Sequence, residues 1–202
     1  MALKTIVKIS NVTNLSDARY CAGMGVEMIG FSLDENSEDY VDATKFAGIT
    51  GWLAGVKLVG EISGQPEIDL SAYPIDSLQI NTPTLFDFFA EVEVPVLLSI
   101  QVRDLAHLEG SAKVMEEYKN RVAYFVLESE NLGIDELTAP ILRRLCAKYP
   151  VLIGFGLSRD NVNAVLDRIG PAGIALKGGK EIKPGLKDFD ELAEVLEEIE
   201  VE

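Results

Sequence analysis

The sequence predicts an α/β protein whose eight parallel strands close into a (β/α)8 barrel, the TIM-barrel fold. Along the 202 residues, short runs rich in Val, Ile and Leu alternate with longer runs of helical period. Continuous apolar strands with helices between them indicate a parallel sheet covered on both faces. Eight such units is the number that closes a barrel. An open doubly wound sheet is disfavoured because Ser10–Thr13, after the first strand, has no glycine-rich dinucleotide fingerprint.

The first four units occupy the N-terminal half of the chain. Their predicted strands are Thr5–Ser10, Met28–Leu33, Leu53–Val59 and Ser77–Asn81. Their predicted helices are one capped by Asn14 or Ser16, one over Asp42–Ile49 and one over Thr84–Val92. Between the third and fourth strands, Gly64, Pro66 and Pro74 predict that the helix is short or missing.

The other four units complete the predicted barrel. Their strands are Pro95–Val102, Val122–Ser129, Val151–Phe155 and Ala172–Lys177. Their helices are Leu105–Asn120, Ile134–Lys148, one capped by Ser158 and one over Phe189–Ile199. No linker, repeat or low-complexity segment interrupts the pattern, so we expect a single domain over residues 1–202.

Composition narrows the classes of partner. The net charge of −15 argues against nucleic acid, because neutralising phosphates needs clustered Lys and Arg. No apolar run is long enough to span a bilayer and the N-terminus does not read as a signal peptide, so we expect a cytoplasmic protein with no membrane partner. Cys21 and Cys146 are expected to be buried free thiols, and no metal-ligand spacing or cofactor motif is found. Monomer and homodimer both stay open.

Two glycine-bearing turns close the last two predicted strands. They are Val151–Ser158 and Gly173–Lys180. In a (β/α)8 barrel these loops form the usual phosphate site, where glycine lets backbone N–H groups approach the anion. The candidate phosphate-binding residues are Gly156, Leu157, Lys177, Gly178 and Gly179. The alternative is that tight strand-to-helix turns need glycine in any case.

Several motifs resemble those of the phosphoribosylanthranilate isomerases, barrel enzymes of tryptophan biosynthesis. Val7–Ala18 is similar to the family's Val-Lys-Ile-Cys-Gly-Ile-Thr-Asn-Leu-Glu-Asp-Ala. Leu78–Asn81 stands where Val-Gln-Leu-His is usual, and Gly156–Val162 is similar to Gly-Leu-Asn-Pro-Glu-Asn-Val. The segment from Lys177 to Asp188 resembles Ser-Ser-Gly-Val-Glu followed by Pro-Gly-x-Lys-Asp. The resemblance implies the barrel fold and an aldose–ketose isomerase that acts on a small phosphorylated sugar.

The resemblance also implies an acid and a base for an Amadori rearrangement. The family uses a Cys as general acid and an Asp as general base, and these positions are Ser10 and Glu128 here. A hydroxyl is a far weaker acid than a thiol, and the longer Glu moves the carboxylate. Asp39 stands for the family's Arg, and Asn81 for its His. The loop that covers the family site after the sixth strand is missing here.

Three hypotheses follow. The first is a divergent barrel that binds a phosphorylated sugar or metabolite, with isomerase activity weak, lost or replaced and with Glu128 as base. The second is a non-catalytic relative that binds a phosphometabolite or a partner. The third is a genuine isomerase that uses Ser10 and Glu128. Gln79, Asn81 and Asp39 are candidate substrate-binding residues. Lys8 and Lys57 interrupt apolar strands and need a partner if they face inward.

Overall fold

Twelve strands are present in the parts of the chain that the computed structural model describes, residues 2–64, 68–178, 181–183 and 186–201. Side chains of 181–183 and 186–187 are outside that description. The strands are β1 Ala2–Leu3, β2 Ile6–Ser10, β3 Met28–Ser32, β4 Lys57–Ile62, β5 Ser77–Ile80, β6 Val96–Gln101, β7 Tyr124–Glu128, β8 Val151–Ile153, β9 Gly173–Lys177, β10 Glu181–Lys183, β11 Leu186–Lys187 and β12 Glu200–Val201. Strands β2 to β9 form a closed barrel in chain order, and every neighbouring pair in it is parallel. The predicted fold class is confirmed.

Six α-helices and two short 3₁₀ helices connect or follow these strands. The α-helices are α1 Leu15–Gly23, α2 Ala43–Thr50, α3 Leu105–Tyr118, α4 Thr138–Cys146, α5 Val162–Ile169 and α6 Asp190–Glu198. Three of them begin with a side-chain oxygen that accepts a backbone N–H, at Asn14, Asp42 and Asp104. Such caps satisfy N–H groups that a helix start leaves without an intrahelical partner.

Three connections differ from the sequence prediction. The segment after β5 is not an α-helix but a 3₁₀ helix, Pro83–Phe86, and the Thr82 hydroxyl before it bonds to the Thr84 hydroxyl and caps no N–H. Helix α5 is preceded by Asn161 instead of Ser158, because the Asn161 carboxamide closes that turn. The short or missing helix after β4 is confirmed as the 3₁₀ turn Leu70–Ala72.

Two antiparallel pairs lie outside the barrel. Strand β1 pairs with β12 and so joins the two ends of the chain, and β10 pairs with β11 directly after the last barrel strand. Both pairs were missed from the sequence, because strands of two or three residues are too short to show a period.

The inside of the barrel divides into an apolar half and a polar half. At mid-barrel, one layer packs Met28, Val59, Leu97, Val126, Leu152 and Ala175 together. Toward the carboxyl ends of the strands, the buried side chains include Ser10, Ser32, Glu61, Gln79 and Ser99. Catalytic and binding groups of (β/α)8 barrels lie at that end, so the polar half is the candidate functional site.

Candidate functional site

Strand register places the polar side chains in a ring. Ser10 is opposite Lys177 across β2 and β9, and Ser32 is opposite Glu61 across β3 and β4. Glu61 is in turn opposite Gln79 on β5. On the far side, Gln101 on β6 is opposite Glu128 on β7. Register thus pairs residues up to 167 positions apart in the sequence, and the carboxyl ends of seven barrel strands supply side chains to one site.

Lys8 supplies a buried cation beneath this ring. Its side chain is fully buried, its Nζ forms an ion pair with Glu61 Oε1, and it donates a hydrogen bond to Ser10 Oγ at 2.6 Å. The second Glu61 oxygen accepts the Asn11 N–H at 3.1 Å. A buried charge is tolerated only when it is paired and hydrogen-bonded. The predicted need of Lys8 for a partner is thus confirmed, and that partner is Glu61.

Gly30 makes room for the Glu61 carboxylate. A Cβ at position 30 would lie 2.1 Å from Glu61 Oε1 and 2.5 Å from its carboxyl carbon. No side chain fits there unless Glu61 moves, and Glu61 is fixed by its bonds to Lys8 and Asn11. Glycine at this position of β3 is therefore required by the ion pair on the neighbouring strand.

Glu128 lies at the end of β7 and is partly buried. Its Oε2 accepts hydrogen bonds from Ser99 Oγ and from Gln101 Nε2, the latter at 2.7 Å. Both donors are neutral side chains of β6, and the described residues place no Lys or Arg in an ion pair with Glu128. The carboxyl group is consequently held at the carboxyl end of the barrel through its Oε2 by two uncharged donors.

These side chains surround a space of about 190 Å³ that we call the central cavity. Of its thirteen described lining residues, only Ile62 is a hydrocarbon side chain. The predicted site residues among them are Ser10, Gln79, Asn81, Glu128 and Lys177. The barrel therefore brings together five residues that the sequence singled out on four different strands or strand ends.

Gln79 carries an unsatisfied atom in this cavity. Its side chain is 8% exposed, and its Oε1 is buried without a hydrogen-bond partner among the described residues. A buried carbonyl oxygen without a donor costs about 1–3 kcal/mol. A group that enters the central cavity and donates a hydrogen bond there would recover that cost.

A second space of about 530 Å³, which we call the loop cavity, lies beside the first. It is formed by the turns after β8 and β9 and by the start of α6, and it includes Gly156, Leu157, Lys177 and Gly178. Two exposed acids, Asp188 and Glu191, also line it. Lys177 is the one residue that lines both cavities, and it is the one cation among the described residues of the loop cavity. Gly179, the remaining predicted phosphate ligand, is outside the described residues.

Gly156 has a structural reason to be glycine. Its φ is +65°, and a Cβ there would lie 2.8 Å from the Ile134 backbone nitrogen. The Asn161 Nδ2 donates to the Gly156 carbonyl at 2.7 Å, while the Asn161 Oδ1 accepts the Ser158 N–H at 2.9 Å. The short connection after β7 thus packs directly against the turn after β8. Backbone geometry alone explains why residue 156 is glycine, in line with the alternative that tight strand-to-helix turns need glycine in any case.

Other predicted residues lie away from the two cavities. Asp39 is partly buried in the segment after β3, where its N–H donates to Ser37 Oγ at 3.2 Å, and Ser37 but not Asp39 lines the central cavity. Lys57 is exposed and its Nζ pairs with Glu27 Oε1 at 2.8 Å, so it needs no buried partner. Cys21 and Cys146 are both free, and burial raises the pKa of each thiol to about 12.

The sequence reasoning missed Glu61, and it also missed Ser99 and Gln101, which hold Glu128. The third strand was predicted over Leu53–Val59, but β4 is Lys57–Ile62, so Glu61 lies inside the strand and not in the loop after it. The signal was present. Lys8 lies in an apolar strand and needs an acid if it faces inward. Glu61 interrupts a second apolar run, and its spacing of two residues from Val59 puts both side chains on the same face of a strand.

The geometry defines an α/β barrel with a polar site at the carboxyl ends of its strands. No family model matches the chain. It is 26% identical over 205 residues to the N-(5'-phosphoribosyl)anthranilate isomerase of Nostoc punctiforme, across 96% of this chain and 97% of that protein. It is 28% identical to the enzyme of the same name from Nitrosomonas eutropha, across 93% and 92% of the two chains. The chain is similar to the phosphoribosylanthranilate isomerases over nearly its whole length, and the resemblance drawn from the motifs is confirmed.

Solved structures agree with this relationship at the level of the fold. The phosphoribosylanthranilate isomerase of Thermotoga maritima superposes with a TM-score of 0.78 at 21% identity, covering 96% of this chain and 98% of that one. Another phosphoribosylanthranilate isomerase structure, in complex with reduced 1-(o-carboxyphenylamino)-1-deoxyribulose 5-phosphate, has a TM-score of 0.75 at 23% identity, again over 96% and 98%. Among the residues described, no helix is long and apolar enough to cross a membrane, and no cluster of three metal-binding side chains is found.

Proposed function

We propose that this barrel binds a small phosphorylated sugar or related metabolite across its two cavities, and that its phosphoribosylanthranilate isomerase activity is weak. The carrying observation is that Lys177 lines both the loop cavity and the central cavity. A phosphate between the turns after β8 and β9 would meet this ammonium, and the rest of the ligand would extend among the polar side chains inside the barrel.

Low isomerase activity is expected from the two exchanged groups. Ser10 stands where the relatives' motif has Cys, and Glu128 stands where it has Asp. Loss of good general acid–base help costs about 10²–10⁴-fold in rate per group, and a carboxylate displaced by about one ångström costs about 10²-fold. Glu128 keeps the chemistry of a base, and its bonds to Ser99 and Gln101 hold it at the cavity.

One observation favours a second candidate, an active isomerase that uses Ser10 as its acid. Lys8 Nζ donates to Ser10 Oγ at 2.6 Å, so this hydroxyl has an ammonium neighbour. A nearby cation favours loss of the hydroxyl proton, and Lys8 could return a proton to Ser10 after transfer. The non-catalytic, partner-binding alternative is the third outcome of the experiment below.

The deciding experiment is turnover of phosphoribosylanthranilate by the purified protein, followed as loss of anthranilate fluorescence with the next pathway enzyme present. We expect turnover at least about 10²-fold below the median enzyme value of about 10 s⁻¹, and a gain in the Ser10→Cys/Glu128→Asp variant. Exposed Ser71→Cys with Glu109→Asp is the matched control and should change nothing. Wild-type turnover within about 10²-fold of that median would establish the second candidate. A folded protein that neither binds nor turns over the compound would leave partner binding.

A further inference from the structure

The central cavity is lined by polar side chains, and one of their acceptor atoms has no donor among the described residues. Glu61 is satisfied by Lys8 and the Asn11 N–H, whereas Gln79 Oε1 has no partner among the described residues. Ser99 and Gln101 already donate to Glu128. A ligand that satisfies Gln79 Oε1 must therefore bring a donor of its own, which in a phosphorylated metabolite means a hydroxyl or amine group.

The same lining is unfavourable for an aromatic acid. Ile62 is the single hydrocarbon side chain among the thirteen described lining residues, so a planar ring would displace water from polar surface and gain little apolar contact.

From these two properties we infer that the central cavity selects a non-aromatic polyol chain, so that the ligand is an open-chain sugar phosphate without an aryl acid. Its hydroxyl groups donate to Gln79 Oε1 and to the Glu128 carboxylate, and its phosphate lies at the loop cavity beside Lys177. The inference rests on the proposed function and adds the substrate class, with Gln79 as the residue that recognises the hydroxyl groups by accepting a hydrogen bond.

Three phosphate compounds test the inference by isothermal titration calorimetry on the full chain. Ribitol 5-phosphate carries the polyol, n-pentyl phosphate has the same chain length without hydroxyls, and reduced 1-(o-carboxyphenylamino)-1-deoxyribulose 5-phosphate adds the aryl acid. Two or more recovered hydrogen bonds predict that ribitol 5-phosphate binds about tenfold or more tightly than n-pentyl phosphate. The aryl compound is expected to bind no better than ribitol 5-phosphate.

The variants Gln79→Met and Gln79→Glu test whether Gln79 Oε1 causes the preference for ribitol 5-phosphate. Methionine keeps the length of the side chain but removes the acceptor, which predicts a three- to tenfold weaker affinity, an approximate range for one hydrogen bond, for ribitol 5-phosphate. Affinity for n-pentyl phosphate should stay within about twofold of wild type, because that ligand donates nothing to Oε1. Gln79→Glu retains an acceptor and should keep the preference for the polyol. Near-UV circular dichroism checks that both variants are folded.

The outcomes separate this inference from the function on which it rests. Equal affinity for ribitol 5-phosphate and n-pentyl phosphate, or clearly tighter binding of the aryl compound, would overturn the polyol assignment and leave phosphate binding intact. If none of the three compounds binds to folded protein, the proposed function fails and the inference fails with it. If Gln79→Met folds and keeps the full preference, Gln79 is not the residue that reads the hydroxyls.

Discussion

The central cavity and the loop cavity open at the same end of the barrel and share Lys177, yet different parts of the chain line them. The central cavity is lined mainly by side chains from the carboxyl ends of the barrel strands, from Ser10 on β2 to Glu128 on β7. The loop cavity is formed by glycine turns and the beginning of α6. Binding chemistry in the first depends on the identity of many side chains, and in the second it depends on the path of the backbone and on one side chain, Lys177.

The two cavities also differ in how their charges are balanced. At the base of the central cavity, Lys8 and Glu61 form a buried ion pair in which the two opposite charges cancel. The loop cavity has exposed Asp188 and Glu191 against Lys177 as the one cation among the residues described there. Anion binding in the loop cavity therefore depends on Lys177, whereas the central cavity depends on the integrity of its ion pair. Each of the following predictions tests one side of this contrast.

The largest effect is expected from Glu61→Met. This change leaves the fully buried Lys8 ammonium without its carboxylate, and breaking a buried ion pair in this way costs about 3–5 kcal/mol. Urea unfolding at neutral pH, followed by circular dichroism, measures the loss in the free energy of unfolding.

The double variant Lys8→Met/Glu61→Met separates the ion pair from general damage. With both charges removed, most of the stability should return, except for about 1 kcal/mol from the lost bond between the Asn11 N–H and Glu61 Oε2. The double variant could instead lose as much free energy of unfolding as Lys8→Met and Glu61→Met lose when added together. In that case the two residues are not coupled, and the central cavity does not depend on this ion pair.

Sequence periodicity was enough to predict the barrel, because strands such as Val151–Ile153 are apolar along their whole length and are followed by amphipathic helices. It failed where tertiary contacts decide the local structure. The Thr84–Val92 segment has a helical pattern, but only the 3₁₀ helix Pro83–Phe86 forms, and Phe86 packs against Tyr118 and Arg121. The β1–β12 pair depends on two chain ends that meet only in the folded protein.

The candidate site was predictable one strand at a time but not as a unit. Ser10, Gln79, Glu128 and Lys177 could be identified because strand ends carry the chemistry of this fold. Glu61 was missed, because the predicted third strand ended at Val59 and left Gly60 and Glu61 outside it. In the structure that glycine is in β4, and a Cβ there would lie 2.8 Å from Leu33 and 3.1 Å from Ile75. Packing, not a turn, requires it.

A second, smaller effect is expected from Lys177→Met on phosphate binding. A hydrogen bond to a charged group contributes about 1.5–3 kcal/mol, which corresponds to roughly 10–100-fold in affinity. Exposed Lys113→Met on α3 removes the same charge away from both cavities and serves as the control. Calorimetric titration with n-pentyl phosphate compares the two. Equal weakening in both variants would mean that net charge alone, and not the position of Lys177, governs the affinity.

The smallest expected effect, from Gly156→Ala, tests whether the loop cavity depends on its backbone. At φ +65° an alanine costs about 1–2 kcal/mol, and its Cβ would press on the Ile134 nitrogen at 2.8 Å. Gly48→Ala is the matched control, because that exposed glycine in α2 has no atom within 4 Å of a new Cβ and should gain about 0.5–1 kcal/mol. Urea unfolding measures both.

Since the turn lines only the loop cavity, Gly156→Ala should also weaken n-pentyl phosphate binding while the Lys8–Glu61 pair stays intact. A Gly156→Ala protein as stable as wild type would show that the turn tolerates a side chain, and the contrast between a cavity set by side chains and one set by backbone would then fail.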